Sequence, residues 1–229
     1  QVRGMNVAIR NANDAISLAQ TAEGALSKIN DMGQRMRELA VQSANATNNA
    51  TDRESLDAEF QALSAEIKRN LEGTSFNGTK LFAALATMTF QVGANNATTD
   101  QIAVITTNLT TETSMTGILG GGAGGGGAAA ADIKDVGKSR EALDKLDKML
   151  ATVNAKRAEF GATQNRFEAV IQTLQVSAEN QTAARSRIMD ADFASETAAL
   201  TRSQVLQQAG TAMLSQANSL PNNVLSLLR

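Results

Sequence analysis

Residues 139–189 read SREALDKLDKMLATVNAKRAEFGATQNRFEAVIQTLQVSAENQTAARSRIM. Within this stretch Leu143, Leu146, Leu150, Val153, Phe160, Phe167, Ile171, Leu174, Ala178 and Ile188 fall on one heptad register, interrupted by Arg157, Gln164, Gln181 and Arg185. An apolar repeat of that period predicts a single helix of about fifty residues, roughly 70 Å long at the rise of an α-helix. Nothing of that length is buried inside a compact globule of 229 residues. The expected fold is therefore mainly α: long antiparallel helices of coiled-coil type, with a small β-hairpin.

The residues before this helix supply its neighbours. From Val2, apolar side chains recur at Met5, Ile9, Ala12, Ile16 and Ala19, then shift phase near Glu23 and continue through Leu26, Ile29, Met32, Met36 and Leu39. This reads as a helix over 1–44 whose buried side winds around it. After the polar break SANATNNAT (43–51), Thr51 and Glu54 fit a capping box, and Leu56, Phe60, Leu63, Ile67 and Leu71 mark a second helix over 52–72 ending at a left-handed Gly73. Past the Asn77-Gly78 turn, MTFQV and QIAVIT flank a turn-rich loop and predict a β-hairpin over 88–106. A Gly/Ala-rich connection follows at 117–134, and Ser139 is the expected cap of the long helix.

At the other end, Leu206, Gly210, Met213, Ala217, Leu220, Val224 and Leu227 repeat at alternating steps of four and three. Asp190 and Asp192 suit the N-terminus of such a helix. Its seam has no evident mate within the chain, so it asks for another helix, from a missing N-terminal segment or from another subunit. The chain opens within an amphipathic pattern and without an initiator Met, which reads as a truncated or processed N-terminus. The division expected is 1–189 for the helical body and 190–229 for the terminal helix.

Composition removes most chemistries. With no His and no Cys, the usual zinc sites, Cys or Ser–His nucleophiles, haem ligation and disulfides are excluded. Twenty-one basic and 23 acidic residues leave a formal charge of −2, with no electrostatic footprint for nucleic acid. No stretch has the length and apolarity to span a bilayer. The run Gly122 to Gly127 matches a dinucleotide-binding glycine pattern only as any Gly-rich tract would. Gly137-Lys138-Ser139 resembles the end of a phosphate loop, but Asp132 occupies the position of its leading Gly. Asp144/Asp147 and Asp190/Asp192 read as solvated charge faces, so neither a catalytic residue nor a cofactor or metal is expected. In Gln34-Arg-Met-Arg-Glu-Leu-Ala-Val-Gln42, Met36 and Leu39 continue the buried stripe, while Arg35, Arg37 and Glu38 should project outward.

The blocks NANDAISLAQTAEGAL (11–26), QRMRELAVQSAN (34–45), FNGTKL (76–81), QVGAN (91–95), GATQNRFEAVI (161–171), ARSRIMDADFASE (184–196) and QVLQQAGTAMLSQAN (204–218), with the ending NVLSLLR, resemble in order the signature blocks of the bacterial flagellins. The resemblance implies a non-enzymatic subunit, exported by the flagellar type III system, that polymerises into the extracellular filament for motility. It implies an inner rod domain at 1–189 and, at 190–229, half of the coiled coil lining the filament core. It also implies partners: other copies of itself, an export chaperone at 190–229, the filament cap and hook-junction proteins, and host Toll-like receptor 5. Gln34, Arg35, Leu39 and Glu59 match the receptor-binding positions of that family. Two alternatives stand beside it: a hook–filament junction protein, and a secreted surface adhesin or glycan-binding protein.

Overall fold

The computed structural model describes residues 1–120, 130–189 and 193–227, with side chains described as far as residue 217. The glycine pattern at 122–127, Asp190 and Asp192 lie outside the described residues, as do the side chains of Leu220, Val224 and Leu227. The chain divides into two compact units, Gln1–Glu179 and Asn180–Arg229.

In the first unit, α1 (Val2–Ser43) and α2 (Ala50–Gly73) form an antiparallel pair. A two-residue ribbon of β1 (Ser75–Phe76) and β2 (Thr79–Lys80) follows, closed by Asn77 and Gly78, both at positive φ. The larger hairpin pairs β3 (Ala86–Gln91) with β4 (Gln101–Thr106), from Ala86 opposite Thr106 to Gln91 opposite Gln101. Its strands alternate, with Ile102, Val104 and Thr106 turned inward, as a ribbon lying on helices requires. Then come the short α3 (Thr113–Leu119) and the long α4 (Val136–Met189), a helix of 54 residues of which the part up to Glu179 belongs to this unit.

One apolar core runs through this unit. On α1 the buried residues Met5, Ala8, Ala12, Ala15, Ala19, Ala22, Leu26, Ile29, Gly33, Met36, Ala40 and Ser43 follow one unbroken alternation of three and four, so the helix has the expected stripe but not the expected change of phase near Glu23, where small Ala side chains carry the seam through. Ile9, Ile16 and Met32 are only half-buried at its margin. Phe82 meets Phe160 edge-on at 6.4 Å and Phe90 meets Phe167 at 5.7 Å, which fastens the hairpin side of the core to α4. Gly33 lets the helices approach closely, since a Cβ there would stand 2.8 Å from Met149 Cε and 2.9 Å from Leu150 Cδ2.

Local chemistry moves several expected boundaries. The capping box is made by Asn49 and Asp52, each side chain accepting from the other's backbone N–H, not by Thr51 and Glu54. Gly73 remains helical, and α2 ends at Thr74 in an extended conformation whose N–H and hydroxyl both bond Asn70 O. Helix α4 begins at Val136, before Ser139; Asp135 accepts from Gly137 N–H at 2.7 Å, and Ser139 turns inward. Ile188, expected on the buried seam, is 82% exposed.

The second unit carries α5 (Phe193–Leu227). Every side chain described on it, from Phe193 to Ala217, is exposed.

Candidate functional site

Two surfaces carry the residues singled out in the sequence. The first spans α1 and α2. Because residues three and four apart share a helix face, Gln34, Arg35 and Glu38 stand on the exposed side of α1 while Met36 and Leu39 point into the core. The antiparallel return of α2 then brings Glu59 opposite Arg35. Arg35 Nε donates to Glu59 Oε1 at 2.9 Å, and its Nη1 donates to Glu38 Oε2 at 3.0 Å. Both side chains of the Arg35–Glu59 pair are about half exposed. The hydrogen bond to Glu59, with a lesser one to Glu38, raises the pKa of the guanidinium, whose charge is permanent in any case. What the surface presents is a planar cation held in fixed orientation between two carboxylates.

Leu39 is placed differently. It is 1% exposed, so it supports this surface from beneath and offers no area to a ligand. Next to the pair, Gln34, Arg37, Glu38, Val41 and Gln42 line a shallow groove of about 380 Å³. Arg37 Nε donates to Asp147 Oδ1 at 2.8 Å, tying α1 to α4, and this bond raises the Arg37 pKa. Glu38 and Asp147 were not anticipated as partners. The spacing of Arg35 and Glu38 could have suggested the first, whereas Asp147, distant in sequence, leaves no local signal.

The second surface is α5. Leu206 and Met213 are 65% and 71% exposed, and Gly210 between them and Ala217 beyond are exposed too. Phe193, Leu200, Val205 and Leu214 are also exposed, so apolar side chains spread over more than one side of the helix. Exposed apolar side chains in this number are unusual on a free protein surface.

Among the described residues, no group of three or more His, Cys, Asp or Glu side chains could hold a metal ion. Likewise, no described helix is long and apolar enough to cross a membrane. A groove of about 540 Å³ between α3 and α4 is lined by Thr113, Ser114, Gly117, Lys145, Lys148, Ala151 and Thr152, with Thr152 Oγ1 donating to Ser114 Oγ at 3.0 Å.

Residues 1–87 match the family model described as the bacterial flagellin N-terminal helical region, and residues 143–228 match the bacterial flagellin C-terminal helical region. The flagellin of Halalkalibacterium halodurans is 43% identical over 230 aligned residues, which span all of this chain and 80% of the relative. The crystal structure of Bacillus cereus flagellin superposes with a TM-score of 0.61 at 31% identity, covering 77% of this chain and 94% of that one. A putative flagellar hook-associated protein from Vibrio parahaemolyticus superposes with a TM-score of 0.62 over 80% of this chain and 92% of its own, at only 11% identity. That last likeness is one of fold alone.

Proposed function

The chain belongs to the bacterial flagellin family, and from that premise we propose which of its surfaces do what. As a flagellin it is a structural protein, not an enzyme, a subunit that polymerises into the extracellular flagellar filament. Residues 1–189 form the rod domain, and 190–229 contribute to the filament core. On the terminal helix, Leu206, Gly210, Met213, Ala217, Leu220, Val224 and Leu227 make the core contact. The observation supporting this is the exposed apolar surface of α5, whose burial would favour assembly by about 1.5–3 kcal/mol for each Leu-sized side chain.

Before assembly the same surface needs a cover. A dedicated export chaperone holds 190–229 until the type III apparatus takes the chain, and the filament cap and hook-junction proteins meet it at the two ends of the polymer. Co-expression of the chaperone with the chain, and with a version ending at residue 189, tests the assignment: equal capture of both removes it.

The face carrying Arg35 and Glu59, with Gln34 beside them and Leu39 beneath, is the surface through which host Toll-like receptor 5 recognises the subunit. The ion pair across α1 and α2 supports this reading, because a preoriented, half-exposed Arg is the kind of group that anchors protein interfaces. Arg35→Ala should reduce potency in a receptor reporter assay by a factor of about 30 or more. Undiminished signalling by Arg35→Ala and Glu59→Ala together would exclude this face.

A further inference from the structure

The eight methionines of the chain divide by exposure. In the first unit Met5, Met36, Met115 and Met149 are buried, and Met32 and Met88 are half-buried. Met189 and Met213, at 69% and 71%, are the exposed ones, and both belong to the second unit. A thioether is oxidised to the extent that its sulfur can be reached, so an oxidant in solution meets these two first.

Their places on the chain differ. Met189 is the last residue of α4, whereas Met213 stands inside α5 on the repeat Leu206, Gly210, Met213, Ala217. The side chains that could lie over a helical residue come from three and four positions away. Around Met213 three of those four are Ala209, Gly210 and Ala217, too small to cover a sulfur, and the fourth is Gln216. The same neighbours make Met213 the one long apolar side chain on that repeat between Leu206 and Leu220. Whatever closes on the middle of the repeat therefore closes on its thioether.

We propose that Met213 is an oxidation-sensitive modification site, whose reaction with a hydroperoxide holds the subunit out of the filament. The peroxide transfers one oxygen atom to the sulfur: the O–O bond breaks, an S=O bond forms, the sulfur loses two electrons, and hydrogen peroxide is reduced to water. A polar, chiral sulfoxide then stands where an apolar thioether was. Buried in a closed seam, its oxygen needs a donor that the side chains of Gly210 and Ala217 do not have. Once the seam has closed the sulfur is out of reach, so the site acts on the free subunit and not on the polymer. The inference rests on the reading of α5 as the core contact.

With no Cys in the chain, a mild peroxide dose falls on methionine alone among the sulfur side chains. The full chain is treated with dilute hydrogen peroxide and mapped by peptide mass spectrometry, and Met189 and Met213 should gain oxygen several times faster than the other six. The same dose is given to the chain extended at its N-terminus by flagellin residues, which is then offered to sheared flagellin filaments. Oxidation should raise the critical concentration for growth about tenfold or more. Methionine sulfoxide reductases should restore growth, Met213→Leu should protect it, and Met189→Leu should not. Subunits already in filaments should keep Met213 reduced at that dose. Growth that survives full conversion of Met213, or that Met189→Leu protects instead, overturns the proposal and leaves the filament reading standing. Untreated protein that fails to grow removes the filament reading and the proposal with it, so the two failures are distinguishable.

Discussion

Leu39 separates two ways in which a residue can matter to recognition. Its side chain is 1% exposed within the core of the first unit, although it stands one turn from the exposed Arg35. Truncation by Leu39→Ala removes buried methyl groups and leaves a cavity, at a cost of about 2–5 kcal/mol. In a chain of this size that loss lowers the melting temperature by on the order of 10 °C. The volume-conserving Leu39→Met should cost less than about 1.5 kcal/mol. Thermal and urea unfolding followed by far-UV circular dichroism measure both. Reporter potency measured well below either transition should then follow stability: Leu39→Met near wild type, and Leu39→Ala reduced as the α1 face loosens. If Leu39→Ala unfolds within about 0.5 kcal/mol of wild type and still loses potency, Leu39 meets the receptor directly and the argument from burial is wrong.

Three further outcomes follow from the same geometry. Asn49→Ala should destabilise the chain by about 0.5–2 kcal/mol through loss of the α2 cap, while Thr51→Ala leaves the urea midpoint nearly unchanged; the reverse order would return the cap to Thr51. Phe167→Ala, which empties a fully buried site against Phe90, should cost about 3–5 kcal/mol in the same titration, and a smaller loss would mean that the hairpin closes over the gap. Burial pushes the Asp132 carboxyl up, but hydrogen bonds from the Lys138 ammonium and the Lys134 amide outweigh it and hold the group below its ordinary range. The stability this confers is complete above the unfolded-state pKa of about 4 and disappears as pH falls through the lower folded-state value. Asp132→Asn should therefore flatten the acid limb of the unfolding midpoint against pH, and an unchanged limb would contradict the pairing.

Long helices were legible because their apolar period is sustained: α1, α2 and α4 each follow the stripe that the sequence lays down. Their ends were less so. Asn49 and Thr51 near the start of α2, and Asp135 and Ser139 near the start of α4, are all competent caps, and which of each pair serves depends on where the first turn meets the core. Helix α3 left little trace, since only Met115 and Ile118 are buried in a run of Thr, Ser and Gly that reads as a loop. The Arg35–Glu59 pair was reached through family resemblance, because periodicity says which residues face outward but not which helix comes opposite. The buried hydrogen bonds from Ile133 N–H to Asp57 and from Ser43 to the Ile133 carbonyl were invisible for the same reason, as they form only when three separate segments meet.

The most direct test of the account is addition of the purified chain to sheared flagellin filaments in polymerising salt, observed by negative-stain electron microscopy. It is run with the chain alone and with the chain extended at its N-terminus by flagellin residues, a fifth of the Halalkalibacterium halodurans relative lying outside the matched region. The account predicts that the extended chain lengthens the seeds into filaments with the flagellar lattice, and that Leu206→Asp with Met213→Asp abolishes the growth. Failure of both preparations to add to any seed would contradict the assignment of this chain as a filament subunit.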